Sequence, residues 1–348
     1  MSANLHRRTP SLVVIDGRGL PLRQVGYLRA RADETAQALV TRQQHDMAGR
    51  LVAQFDPRLS GPSTTHLYDL NGQPLKVSNV DAGWRLSLPG LAGQTVQRWD
   101  ARGVHWRSRY DELLRLVAIS NSADTLSGTF TYADASAPPE HNQRGRLLEQ
   151  IDPSGSLHLN SYSLAGQPLR ESRTFTDARE FLTQRIFSPL DAMLEQTDAG
   201  GHRQQLRYDV AGQLKQLQLL LAGDHTWQEV LLDTQFNAVG QIIKQQAGNG
   251  IASDWDYEPG TGRLQRQWAR KGAQPPLQDI SYEYDPVGNP TRILDNVFTP
   301  SYFANQRVDG ERAFHYDSLY RLISASGYDD ATPGDIPGRP QPSDPRDR

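Results

Sequence analysis

The 348-residue sequence contains no cysteine. Disulfides, thiolate nucleophiles and cysteine metal sites are therefore excluded, and the redox compartment stays open. Charge of one sign is also missing. Thirty-seven Lys and Arg face 40 Asp and Glu, giving a net charge of −3. That balance supplies no electrostatic footprint for nucleic acid or an anionic membrane. No apolar run approaches the ~20 residues that span a bilayer, so direct membrane insertion is not expected. At the N-terminus, Leu12 to Ile15 is interrupted at once by Asp16, too early for a secretory signal. The nine histidines are scattered singly, with no HExxH or other close ligand pair, so no metal site is expected. Gly260-Thr261-Gly262 lacks the third glycine of a dinucleotide fingerprint, and no cofactor is expected. Asp33-Glu34 and Asp111-Glu112 are adjacent in sequence, so on a strand they point to opposite faces and cannot converge for acid–base catalysis. Nothing here reads as an enzyme.

What the sequence has is glycine (29 residues) and turn dipeptides, and they recur in one pattern. The pattern is an aromatic residue, an aspartate, two or three variable residues, a glycine or substitute, then a polar residue. Tyr284-Asp285-Pro286-Val287-Gly288-Asn289 is the full form. Ile280, Tyr282 and Tyr284 alternate along one strand face. Asp285 can accept from backbone N–H groups two residues on, Pro286 presets the first central turn position, and Gly288 accepts a positive φ. The unit predicts a β-hairpin. It recurs at His45-Asp46 with Gly49, Tyr68-Asp69 with Gly72, Trp99-Asp100 with Gly103, and Tyr208-Asp209 with Gly212. Degenerate forms are His141-Asn142 with Gly145, Tyr162-Ser163 with Gly166, Phe236-Asn237 with Gly240, and Tyr257-Glu258 with Gly262. Tyr110-Asp111 and Tyr316-Asp317 keep the pair but carry Leu114 and Tyr320 at the glycine position. A different turn type is expected at those two, because bulky residues resist positive φ. The spacing drifts, from 23 residues between Asp46 and Asp69 to 27 between Glu258 and Asp285, as in a repeat with variable hairpin loops.

The expected fold is all-β: an array of hairpins forming a curved, spiralling sheet. Residues 1–45 read as an N-terminal hairpin region, 46–327 as the repeat array, and 328–348 as a Pro-rich disordered tail or connector. Two stretches are ambiguous. Residues 30–43 are open to a helical turn or two or to a strand leading into the first repeat. Residues 213–221 (QLKQLQLLL) fit a helix, but the flanking turns favour strand.

The repeated unit resembles the YD or RHS repeat of bacterial polymorphic toxins and eukaryotic teneurins. It is closest to the C subunit of bacterial tripartite insecticidal toxin complexes, the Tc toxins. The residues that carry the resemblance include TPSLVVIDGRGLPLRQVGY, NVDAG, RYDELLRL, QTDAGGH, RYDVAGQL, DYEPGTGRL, YEYDPVGN and HYDSLYRLISASG, in the family's order from Thr9 to Gly327. The resemblance implies a hollow shell built with a B subunit, whose interface is expected mainly in the N-terminal hairpins. It also implies an unfolded toxic polypeptide inside the shell, released through the B subunit into the A-subunit channel. Nothing after Tyr328 resembles the family's self-cleaving core or toxic domain, so no catalytic aspartate carries over. The sequence is accordingly expected to be a shell piece: a fragment, a truncated gene or a split product. It would be made in the bacterial cytoplasm and secreted within a complex without a classical signal peptide. The alternative is an autonomous adhesion or carbohydrate-binding repeat protein that stacks sugars on Trp84, Trp99 or Trp106.

Overall fold

The computed structural model describes residues 5–121, 126–303 and 306–327. The segment expected to be a Pro-rich tail, 328–348, lies outside them. Twenty-six strands form one antiparallel sheet in which each strand pairs with its neighbours in the chain, from Leu12–Ile15 to Leu322–Ser326. Meander pairing follows from the short turns, since a two- to five-residue loop can only join antiparallel neighbours. A two-stranded hairpin, Ser301–Phe303 with Gln306–Val308, is inserted without breaking the sheet. Its flanking strands, Pro290–Asp295 and Glu311–Tyr316, pair directly with each other.

Both ambiguous stretches are strands. Residues 31–34 make a single turn, closed by Glu34 N–H donating to Arg31 O (3.1 Å), and Gln37–His45 then pairs with Pro21–Leu28. The helical option fails there because residues 37–42 each have a strand partner in Pro21–Leu28 and residues 30–36 are taken up by the turn that joins the two strands. Leu214–Leu220 lies between Arg203–Tyr208 and Gln228–Phe236 in the same ladder.

The sheet is one layer thick. Among the described residues only seven apolar side chains are fully buried, and they are mostly small or central: Leu5, Ala53, Ala118, Ala133, Leu159, Tyr162 and Leu231. The chain exposes 23000 Å², against about 14,000 Å² for a compact protein of this mass. A sheet without a second layer must close on something else. Here it winds until its last hairpin reaches its first. Ser318 N–H donates to Arg29 O (2.9 Å), the Ser318 hydroxyl donates to Tyr27 O (2.6 Å), and Arg29 N–H donates to Ser318 Oγ (2.7 Å). Leu319 lies over Gly26, where an added Cβ would meet its Cδ2 at 3.3 Å. His6 stacks on Tyr320 with ring centroids 4.9 Å apart. The result is a curved, spiralling repeat sheet, a partial hollow shell.

Candidate functional site

A meander places its hairpin ends alternately on two rims, and this division organises the repeated turns. Asp46, Asp69, Asp111, Ser163, Asp209, Asn237, Glu258, Asp285 and Asp317 all open turns on one rim, called here the kernel rim. Trp99, Asp100 and Gly103 make a similar turn on the opposite rim, between Thr95–Asp100 and His105–Tyr110.

Apart from the Glu258 turn, which is one residue longer (Gly262 N–H donates to Glu258 O and Glu258 N–H to Arg263 O, both 2.8 Å), these kernel turns share one geometry. At Asp285 the backbone N–H donates to Asn289 O (2.9 Å), and Gly288 N–H donates back to Asp285 O (3.1 Å). Asp285 Oδ1 accepts from the N–H groups of Val287, Gly288 and Asn289 at 3.0, 2.7 and 2.8 Å. The pairing register shifts between Glu283 and Tyr284, so the turn is a type I turn with a glycine bulge. The same shift precedes His45, Tyr68, Tyr208 and Tyr316. Asp46, Asp69, Asp209 and Asp317 each accept the N–H four residues on, at 2.9, 2.8, 2.9 and 3.0 Å.

The different turn expected at Leu114 and Tyr320 is not found. Both residues take the left-handed conformation (φ 60° and 61°) and keep the same backbone hydrogen bonds. Placing a side chain there costs roughly 1–2 kcal/mol. Asp111 and Asp317 hold the turn against it, each gripping the following arginine through both its backbone N–H and its Nε. The unit expected at His141-Asn142 is also relocated. His141 ends a short 3-10 helix, and Gly145 and Arg146 close instead on Ala133, so Tyr132-Ala133 begins that turn and residues 134–144 are an insertion within it. Three turns of this geometry on the kernel rim escaped the repeat pattern. They open at Asp16, at Gly90 and at Ser188, where Asp191 (φ 68°) takes the glycine position. Ser163 and Ser188 use a hydroxyl in place of the carboxylate.

The aromatic residue does more than pack. Where the kernel aromatic is Tyr68, Tyr110, Tyr208, Tyr257 or Tyr316, the ladder to the preceding hairpin stops short and the tyrosine hydroxyl bridges the gap. Tyr68 donates to Leu51 O (2.7 Å), Tyr110 to Thr95 O (2.7 Å), Tyr208 to Met193 O (2.8 Å), Tyr257 to Ile242 O (2.9 Å) and Tyr316 to Pro290 O (2.9 Å). Each acceptor is the first residue of a returning strand. Tyr208→Phe is expected to lower stability by about 1 kcal/mol. Hydrogen exchange should quicken at Met193–Thr197 and Arg203–Tyr208 while distant hairpins keep their rates.

At several kernels the polar residue after the glycine ties the turn to the next one. Arg50 Nη1 donates to Asp69 O (3.0 Å) and its guanidinium lies over the Tyr68 ring (4.9 Å). Arg263 donates to Asp285 O (2.7 Å) and Pro286 O (2.9 Å) beside Tyr284. Gln241 reaches Gly262 O (2.8 Å).

These contacts shift the carboxyl groups. The Arg50 backbone N–H lowers the Asp46 pKa below its ordinary value, and the Arg102 guanidinium does so for Asp100. Arg58 pulls Asp56 down to about 2. At Asp285 burial pushes the pKa up, but the Asn289 side chain and three backbone N–H groups outweigh it and the net direction is down. Groups lowered on folding bind fewer protons than in the unfolded chain. Their contribution is complete above the unfolded value near ~4 and fades as pH falls through the folded values. The urea midpoint is therefore expected to hold from pH 7 to about 4.5 and to drop between ~4 and ~2. A midpoint that rises on acidification would contradict this assignment.

No protein-family model matches the sequence. The toxin subunit YenC2 of Yersinia entomophaga is 30% identical over 407 residues, an alignment covering 99% of this chain and 41% of YenC2. YenC1 of the same organism is 31% identical over 368 residues, covering 93% of this chain and 38% of YenC1. The chain thus spans about two-fifths of the length of these relatives. Among solved structures, the Tc holotoxin pore of Photorhabdus luminescens with a TccC3 variant matches with a TM-score of 0.87 and 32% identity, covering 93% of this chain and 17% of that one. The crystal structure of TcdB2–TccC3 matches with the same TM-score, identity and coverage. Over nearly all of its length, the chain is homologous to the C subunits of Tc toxins, and its 26-stranded antiparallel sheet matches the fold of the corresponding part of the TcdB2–TccC3 structure.

Proposed function

We propose that this chain forms part of the wall of a Tc toxin shell, assembled with a B subunit around an unfolded toxic polypeptide and exported as part of the complex. The observation that carries the reading is the single-layer sheet that winds back on itself through Ser318, Tyr27 and Arg29 and leaves both faces without a packed partner layer. Such a wall does no chemistry. It encloses volume, and the strand ends of the sheet and the kernel rim call for neighbours. Repeat arrays also need capping partners for solubility, so the isolated chain is expected to self-associate and the B-bound chain to be monodisperse. The role is tested by co-expression with a B subunit and an unfolded cargo fused to the chain. The cargo should resist protease in the assembled complex and be cleaved when the chain is alone. Equal cleavage in both states would end the encapsulation reading.

The carbohydrate-binding alternative finds little support. Lys76 lies over the Trp84 ring (5.5 Å), Arg98 over Trp106 (6.0 Å), and His105 stacks on Trp99 (4.4 Å). One face of each of these rings is therefore already covered, which halves the stacking surface they could offer a sugar.

A further inference from the structure

Tyr320 occupies the glycine position of the last kernel turn, at a φ of 61°. The grip of Asp317 on Arg321 holds the turn in spite of that side chain and gives no reason for it. The reason lies outside the turn. His6 stacks on the Tyr320 ring with the centroids 4.9 Å apart and the planes at 20°, so the strained tyrosine carries a ring from the other end of the chain.

His6 belongs to a short segment, residues 5–9, that precedes the first strand and is part of no ladder. The segment is fixed all the same. Leu5 is 7% exposed, whereas Leu12, Val13, Val14 and Ile15 of the first strand are 44–59% exposed. In a sheet one layer thick no core awaits a side chain ahead of the first strand, so Leu5 is buried by the surface on which the segment lies. Arg8 turns the chain with a φ of 60°, and Thr9 Oγ1 donates to His6 O (2.9 Å) across that turn. Arg29 Nη2 donates to Arg7 O (2.8 Å). The same Arg29 gives its backbone N–H to Ser318 Oγ (2.7 Å) at the seam. Residues 5–9 therefore hold the first hairpin through Arg29 and the last through Tyr320, and they cross the seam between the two. Their hold has no strand ladder behind it. Segments held in this way open at a lower free energy than the ladders around them, so the strap lifts before the seam parts.

We propose that residues 5–9 are a latch across the seam, with the Tyr320 ring as its platform, and that lifting the latch sets how often the winding opens. The latch belongs to this chain alone, so a failure of the encapsulation reading would leave it standing. The test is hydrogen exchange in the full chain at residues 26–29, where the Arg29 N–H reports the seam directly. Were Tyr320 only a strained turn residue, Tyr320→Gly would relieve the turn and slow exchange there or leave it alone. As the platform of a latch, its loss should speed exchange by about fivefold or more. Tyr320→Phe keeps the ring and should stay within about twofold of wild type. Leu114→Gly relieves the same strain at a turn in the middle of the array and should not alter residues 26–29. Leu5→Ser with His6→Ser should act as strongly as Tyr320→Gly. All three substitutions together should do no more than either set, because two halves of one latch are lost only once. Arg203–Tyr208 is the internal reference and should keep its wild-type exchange throughout. Unchanged or slower exchange at 26–29 in Tyr320→Gly would overturn the latch. So would additive effects of strap and ring, an equal rise in Leu114→Gly, or an equal rise at Arg203–Tyr208, which would mean a general loosening of the sheet.

Discussion

Replacing Gly155 by alanine is expected to cost at least ~3 kcal/mol. Gly155 closes the turn after Asp152 with φ at +137°, a region that only glycine occupies without strain. It also stands against its neighbour strand. A Cβ there would lie 2.0 Å from Thr174 O and 2.9 Å from Phe175 Cα, both backbone atoms that no rotamer change can move aside. Relief would require the strands Gly155–Tyr162 and Pro168–Phe175 to part at the Gly155–Phe175 pair. Arg173, which donates to Asp152 Oδ1 at 2.7 Å across the same turn, would be displaced with them. Urea unfolding of Gly155→Ala should show a much lower midpoint than Gly212→Ala, which has the positive φ but nothing within 4 Å of the added methyl. Equal midpoints for the two variants would mean that the close backbone approach at Gly155 contributes nothing.

The fold was legible because every device that builds it is local. Tyr284-Asp285-Pro286-Val287-Gly288 specifies a bulged hairpin without reference to the rest of the chain, and a chain of such hairpins has only one simple way to pair. The degenerate units show where that local code fades. Ser188 and Asp191 satisfy the same hydrogen bonds as aspartate and glycine, but the substitution hides the turn from a pattern built on the commoner residues. At Tyr132-Ala133 the insertion of residues 134–144 separates the two halves of one turn, and the nearer His141-Asn142 pair drew the assignment away. Leu114 and Tyr320 were misread for the opposite reason: intrinsic preference was weighed alone, without the carboxylate–arginine grip that overrides it. The two rims were not legible at all. Which turns share a rim depends on counting strands correctly through every hairpin, and the contact between Ser318 and Arg29 spans 289 residues. No local signal encodes that distance. It emerges only from the summed twist and bulge of the intervening strands.

That long-range contact makes Asp317→Ala the most informative substitution in the kernel. Its carboxylate accepts from Leu319 N–H (2.8 Å), Arg321 N–H (3.0 Å) and Arg321 Nε (2.7 Å), as the other kernel aspartates do for their own turns. What differs is burial, since Asp317 is 1% exposed beneath the first hairpin. In an exposed turn such as that of Asp209, water replaces the lost carboxylate, and Asp209→Ala should cost under about 1 kcal/mol. At Asp317 the buried carboxylate's two backbone donors, part-buried beneath the seam, would lose their partner at ~1–3 kcal/mol each, for an expected loss of about 2–3 kcal/mol. The loss should also be felt across the seam. With the turn loosened, Ser318 can no longer be held against Tyr27 O and Arg29 N–H, and Leu319 leaves Gly26. Hydrogen exchange at residues 26–29, far away in sequence, should therefore rise by tenfold or more in Asp317→Ala and stay unchanged in Asp209→Ala. If exchange at 26–29 is the same in both variants, the seam is not coupled to the turn, and the ends of the winding are joined by packing alone. If it rises only in Asp317→Ala, one buried carboxylate both shapes the last hairpin and closes the turn of the shell.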